Sequence, residues 1–133
     1  MKRWAIRKVL SVALAVVCLS GWTVAYAAGG DPKKGKAKYV ENMRCSACHG
    51  DTGLGNGPAA VALNPKPRNF QDAAYMKAKS DDHLFKVIKN GGPAVGLSPL
   101  MAPFGSQLSD KEITDIIAYI RTLAKPPYEP PKK

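Results

Sequence analysis

The sequence predicts an all-α domain, and three observations lead to that prediction. Near the C-terminus, Ile113, Ile116, Ile117 and Ile120 repeat at helical spacing. No segment shows the alternation of apolar and polar residues that is typical of a half-buried strand. Glycine and proline fall in clusters between the helical segments, which indicates long loops rather than a sheet.

Four helices are predicted, and most have a residue that suits their start or their end. Aspartate and serine favour a helix start, proline suits the first turn, and glycine favours a stop. The predicted helices are residues 33–43 after Asp31 and Pro32, residues 71–79, a helix that follows Ser80 and stops at Gly91, and a helix from the capping box of Ser109 and Glu112 to Leu123.

Residues 1–27 have the layout of a secretory signal peptide. A basic start precedes an apolar run over residues 9–24, and Ala25-Tyr26-Ala27 gives a small-x-small cleavage pattern. The apolar run is short for a bilayer span, so export to the periplasm with cleavage after Ala27 is preferred over an uncleaved membrane anchor. The chain then divides into a signal peptide over residues 1–27, a domain over residues 28–125 and a proline- and lysine-rich tail over residues 126–133.

The charge balance is strongly basic, with 20 lysine and arginine residues against 10 aspartate and glutamate residues, a net charge of +10. Cleavage after Ala27 would remove four of the basic residues and leave a net charge of +6. The lysines are scattered and are not interleaved with aromatic residues, which argues against a nucleic-acid partner. A positive surface that docks acidic protein partners fits better, with simple solubility as the alternative.

The segment Cys45-Ser46-Ala47-Cys48-His49 has the C-x-x-C-H spacing by which haem c is attached. Each thiol forms a thioether with a haem vinyl group, and the histidine that follows lies beside the iron as an axial ligand. A thioredoxin-like pair would need a preceding strand, and a zinc site would need about two more ligands. The motif therefore predicts one covalently bound haem c, which the long loops would wrap in place of a larger core.

With these residues the chain resembles the class I c-type cytochromes. Gly35 and Tyr39 resemble the N-terminal helix of that family, and residues 118–121 resemble its C-terminal helix. The resemblance implies the cytochrome c fold, in which three to five helices and long loops surround one haem. It also implies that the first and last helices cross closely, with Gly35 at the contact.

The resemblance places the second axial ligand, a methionine, in a loop before the last helix. Met101 lies in the matching place, although Ala102 separates it from Pro103, whereas the family more often has proline directly after the methionine. Met76 is assigned to the core. His83 is the alternative ligand, but it is expected to face solvent in the first turn of its helix.

Further residues around the haem follow from the same resemblance. The carbonyl of Pro58 is expected to accept a hydrogen bond from His49. Arg68 and Asn69 are expected to bind the haem propionates. The implied function is a monomeric one-electron carrier with filled axial positions, not an enzyme. The alternatives are a haem subunit or docking partner of a larger, membrane-bound respiratory oxidoreductase complex, and an open-site haem sensor or enzyme.

Overall fold

The computed structural model describes residues 29–128, which form five α-helices joined by loops. No strand forms within these residues, and a single isolated bridge pairs Asp72 with Lys125. The all-α prediction is therefore confirmed. The elements are α1 (Pro32–Ala37, continued by a π-helical turn Lys38–Asn42), α2 (Ser46–His49), a 3-10 turn Pro58–Ala62, α3 (Ala73–Ala78), α4 (Asp81–Asn90), a 3-10 turn Gly92–Val95 and α5 (Asp110–Thr122).

The predicted signal peptide over residues 1–27 lies outside the described residues, as does the tail after Tyr128. Within residues 29–128, no helix is both long enough and apolar enough to cross a membrane.

Three helix starts use the capping residues that the sequence predicts. The carboxylate of Asp31 accepts hydrogen bonds from the backbone of the first turn of α1. The Ser80 hydroxyl accepts the backbone N–H of His83 at 3.1 Å. Ser109 and Glu112 form a reciprocal capping box at the start of α5. Each such cap stabilises its helix by about 1 kcal/mol.

The last turn of the first helix departs from the prediction. The Met43 N–H donates to the carbonyl of Lys38, five residues back, at 2.9 Å. Arg44 then adopts a positive φ of 55°. This widened turn, followed by a left-handed residue, ends the helix and turns the chain into Cys45. The apolar spacing of residues 33–43 gives no sign of it, because π-helical turns are rare and occur mostly as single turns inside α-helices.

The core is centred on the crossing of α1 and α5. A Cβ atom at Gly35 would lie 1.9 Å from the carbonyl oxygen of Asp115, so the two backbones are in contact there. One turn later, Tyr39 packs edge-on against Tyr119 with ring centroids 5.2 Å apart. The predicted close crossing at Gly35 is confirmed. The other buried core residues are Met76, Leu84, Ile88, Leu108, Ile113, Ile116, Ile117, Ile120 and Ala124.

Arg121 joins the end of α5 to the connection between α3 and α4. Its buried guanidinium donates to the carbonyls of Met76 and Lys79, and it pairs with the Asp81 carboxylate at 2.6 Å. The ring of Tyr128 covers the guanidinium, with 4.1 Å between the guanidinium carbon and the ring centroid. The start of the predicted tail is therefore packed on the domain.

Candidate functional site

A mainly apolar cleft of about 1070 Å³, partly open to solvent, lies between α2, α4, α5 and the adjoining loops. Cys45, Cys48 and His49 line it on one side, and Met101 lines it from the loop before α5. Three of the predicted site residues thus come from a single helical turn, and the fourth is brought to them by the fold. The apolar part of the wall consists of Leu63, Pro65, Pro67, Phe70, Leu84, Val87, Ile88, Leu97, Leu100, Ile116 and Ile120.

Cys45 and Cys48 are not joined in a disulfide, and both are half-buried in the cleft. Burial raises the pKa of the Cys45 thiol to about 11, so this group is protonated at neutral pH. A metal binds the thiolate form, which burial disfavours here. Among residues 29–128, no three histidine, cysteine, aspartate or glutamate side chains cluster as ligands for a metal ion. The described residues therefore give no support to the zinc alternative.

The His49 ring is fixed by two contacts. Its Nδ1 lies 3.1 Å from the carbonyl oxygen of Arg68, and because a carbonyl only accepts, Nδ1 carries the proton of this hydrogen bond. The Phe70 ring stacks on the imidazole, with centroids 4.5 Å apart and 14° between the planes. Burial lowers the pKa of His49, partly opposed by the hydrogen bond to Arg68. The ring is therefore held neutral with the Nε2 lone pair available, which is the form that binds iron.

The carbonyl that fixes His49 belongs to Arg68, and the prediction that Pro58 supplies it is wrong. Pro58 is exposed at the start of its 3-10 turn and does not line the cleft. The glycine-rich loop instead closes against the segment before Arg68, where a Cβ atom at Gly55 would lie 2.3 Å from the carbonyl oxygen of Pro67. This contact needs a glycine, and it helps to bring the next carbonyl along to His49.

The two predicted propionate ligands occupy different environments. The Arg68 side chain lines the cleft, and its guanidinium carbon lies 5.2 Å from the centroid of the Tyr75 ring. Asn69 does not line the cleft, and its side-chain oxygen accepts the backbone N–H of Gln71 at 2.8 Å. Propionate binding by Arg68 and by Asn69 stays a prediction, since the local turn uses the acceptor oxygen of Asn69 and not its amide N–H donors.

Of the three methionines within the described residues, Met101 is the one that lines the cleft. Met76 is fully buried in the core, as expected, and Met43 packs against the edge of that core. The geometry is therefore compatible with Met101 as an iron ligand and with a packing role for the other two.

His83 does not face solvent as the sequence analysis expected. It is half-buried and lines the cleft, and its Nε2 atom is buried with no hydrogen-bond partner among the described residues. The position of His83 in the cleft could have been inferred from its sequence spacing, because His83 precedes Val87 by four residues and therefore lies on the same face of α4. That face is turned to the cleft by the burial of Leu84 and Ile88.

The charges around the cleft suit a flat apolar group with acidic edges. Lys66 and Arg68 are the charged side chains in its lining, and no acidic side chain of residues 29–128 lines it. A haem has an apolar macrocycle, carboxylate groups at its edge and an iron that takes nitrogen and sulfur ligands. The paired thiols, the neutral His49, the Met101 thioether and the unpartnered His83 nitrogen fit such a group.

A family profile described as "Cytochrome C oxidase, cbb3-type, subunit III" matches residues 30–120, a span that includes all of these side chains. The chain belongs to the c-type cytochrome family. The cytochrome therefore carries haem c, and Cys45 and Cys48 provide the attachment motif. Its role as an electron-transfer domain follows from the same membership.

Individual relatives agree with this assignment. The cytochrome is 33% identical to cytochrome c-554(548) of Halomonas halodenitrificans over 90 residues, which are 68% of this chain and 93% of that protein. It superposes on the KustC0563 c-type cytochrome with a TM-score of 0.53 and 26% identity, covering 68% of this chain and 96% of that one. It also matches the Kuenenia stuttgartiensis reducing HAO-like protein complex Kustc0457/Kustc0458 with a TM-score of 0.57 and 27% identity, covering 70% of this chain and 43% of that one. The predicted cytochrome c fold is confirmed.

Proposed function

We propose that this cytochrome is a one-electron carrier, and not an enzyme, whose haem iron is held between His49 and Met101. The observation that carries the proposal is that both side chains line one cleft. Because the Nδ1 atom of His49 is engaged by Arg68, its Nε2 atom is the one available to the iron. The Met101 thioether would raise the reduction potential of the iron, and an iron held by both His49 and Met101 would have no position left for oxygen or a substrate.

The opening of the cleft supports docking of acidic protein partners. Lys66 and Arg68 line it and are exposed, and Leu100, another lining residue, is 54% exposed. Positive charges steer an acidic partner to the opening, and an exposed apolar side chain adds a contact within a short-lived complex. The proposed carrier is a monomer that makes such complexes one at a time.

The ligand assignment is tested with Met101→Leu, and Met43→Leu is the matched control because Met43 does not line the cleft. The ferric wild-type protein is expected to show the weak far-red absorption band of methionine ligation and to bind no carbon monoxide when reduced at neutral pH. Met101→Leu is expected to lose the band, bind carbon monoxide and titrate at a lower potential. Met43→Leu is expected to behave like the wild type.

Two results would contradict the assignment of Met101 as the second iron ligand. A wild-type protein that lacks the band and binds carbon monoxide readily has an open iron site, and this would replace the carrier with the haem sensor or enzyme. A band that survives Met101→Leu would show that another side chain supplies the sulfur.

A second candidate function is a haem subunit or docking partner of a larger respiratory complex. It is favoured by the match to a chain of the Kustc0457/Kustc0458 complex. Fractionation of the native host distinguishes the two, because a free carrier elutes at the size of one chain from the soluble periplasmic extract. Stoichiometric co-purification with a membrane complex would favour the subunit.

Export is also part of the proposal. The basic and apolar segments of residues 1–27 support cleavage after Ala27 and release into the periplasm. Intact-mass analysis of the purified haem protein should show a chain that begins at Ala28. A full-length chain in the membrane fraction would show that the segment is retained as an anchor.

A further inference from the structure

His83 carries a buried nitrogen for which the described residues provide no partner. It lies in the first turn of α4, where its backbone N–H is bonded to the Ser80 hydroxyl and its neighbour Leu84 is buried in the core. These contacts fix the residue with its ring in the cleft wall, and its Nε2 atom is buried and unpaired. Buried polar groups in proteins are nearly always hydrogen-bonded, so this nitrogen points to a partner that occupies the cleft.

The surroundings of His83 select an anion as that partner. Tyr75 lines the same cleft as His83, and two cations contact its ring, with the Arg68 guanidinium carbon at 5.2 Å and the Lys79 Nζ at 5.5 Å from its centroid. Burial lowers the pKa of His83, and the charges of Lys79 and Lys86 lower it further. Cations thus reach this region from the loop before α3, from the α3–α4 connection and from α4. The two aspartates of the same turn do not line the cleft, since Asp81 pairs with Arg121 and Asp82 is exposed. The residues that α5 and the Met101 loop contribute to the cleft lining are uncharged.

We propose that the Nε2 atom of His83 donates a hydrogen bond to a carboxylate of the bound haem. His83 is then a positioning residue for the haem and links a proton to its redox state. The proposal rests on haem attachment at Cys45 and Cys48 and is independent of the second axial ligand. The haem carboxylates are the acidic groups that the attached cofactor brings into a cleft whose charged lining residues are cationic.

Reduction of the haem and protonation of His83 favour each other. Reduction adds one electron to the iron and makes the haem more negative, which favours the protonated form of His83. The proton comes from solvent and binds the ring, so the pKa of His83 is higher in the ferrous protein than in the ferric one. The midpoint potential therefore falls as pH rises through these two pKa values, by about 59 mV for each tenfold difference in proton affinity between the two states.

The test compares the wild type with His83→Phe and His83→Asn, and uses Lys86→Gln as the matched control because it alters a charge on the same helix. Midpoint potentials are measured between about pH 5 and pH 8, the range in which histidine titrates. NMR follows the His83 ring in both oxidation states, and its assignment is simple because the chain has only two histidines. We expect a pH-dependent fall in the wild type, the same fall displaced to higher pH in Lys86→Gln because a positive charge near His83 is removed, and its loss in both His83 variants.

Other outcomes overturn the proposal. An unchanged pH dependence in His83→Asn would do so, as would a His83 ring with the same pKa in both oxidation states. The NMR measurement uses the wild type and decides the question even if His83→Phe fails to fold. Loss of the low-spin spectrum in the His83 variants would make His83 an iron ligand instead. Loss of the far-red band in Met101→Leu with the pH dependence retained leaves this proposal standing.

Discussion

The distance between α1 and α5 is set at Gly35, where the absence of a methyl group lets one helix touch the other. Each atom that a Cβ at this position would meet first belongs to the backbone of α5, at Asp115 and Ile116. A side chain can rotate away from a clash, but a helix backbone cannot. The whole crossing would have to widen to admit even alanine.

We therefore expect Gly35→Ala to destabilise the haem-containing protein by about 3 kcal/mol, the upper end of the usual cost of overpacking. The measurement is urea unfolding followed by far-UV circular dichroism. The control is Lys36→Ala, an exposed change in the same helix that is expected to alter the stability by less than about 0.5 kcal/mol. A Gly35→Ala protein as stable as the control would show that the helices do not touch at this position.

The hydrogen-bond partner of His49 is a main-chain carbonyl and not a side chain. Its hydrogen bond goes to the main chain of Arg68, while the Arg68 side chain points to the Tyr75 ring. A substitution of Arg68 therefore changes the charge at the cleft edge without removing the carbonyl that orients the imidazole. The loop closure at Gly55 is the feature that positions this carbonyl.

At the scale of helices, Glu112 links the start of α5 to α1. Its carboxylate lies 2.6 Å from the Lys38 Nζ and accepts the backbone N–H of Ser109 at 2.9 Å. The hydrogen bond from Lys38, followed by those from Ser109, lowers the pKa of Glu112 from 4.5 to about 2. The charged carboxylate is thus favoured by the folded state.

This depressed pKa predicts a pH-dependent contribution of Glu112. A carboxyl group with a lower pKa when folded stabilises the protein above its unfolded pKa, and the contribution is lost as pH falls through the folded value. The stability difference between wild type and Glu112→Gln should therefore be full above about pH 5 and vanish near pH 2. Chemical denaturation at a series of pH values measures it. Glu41→Gln, an exposed change on the first helix, serves as control, and a difference that stays constant with pH would contradict the assignment.

The helices that the sequence predicts well are those whose signals are local. The Ser109 and Glu112 capping box and the Ser80 cap define the starts of α5 and α4, because a cap acts within one turn. The π-helical turn at Lys38–Asn42 escapes prediction because such turns are rare single-turn insertions in helices. The carbonyl partner of His49 escapes because its position depends on how a loop of many residues closes.

At the scale of the whole molecule, the cleft takes the place of a larger core. Its apolar wall draws side chains from α4, α5 and two loops, and several of them also belong to or border the buried cluster. Without the haem, that apolar surface would be in contact with water. A covalently bound haem would cover this surface and would contact the elements that line the cleft. The long loops are therefore ordered by a group that only the folded chain encloses.

It follows that the double variant Cys45→Ala, Cys48→Ala should lose its cooperative fold together with the haem. The crossing of α1 and α5 is made by the two helices themselves and can preserve some helical structure. The loops, however, lose the surface against which they pack. We expect reduced far-UV circular dichroism and no sigmoidal urea transition, measured beside Ser46→Ala, which changes α2 and keeps both thiols. The helices alone would have to supply a sufficient core if the haem-free double variant unfolded in a cooperative transition. The haem would then bind to a domain that folds without it, and it would not be part of the core.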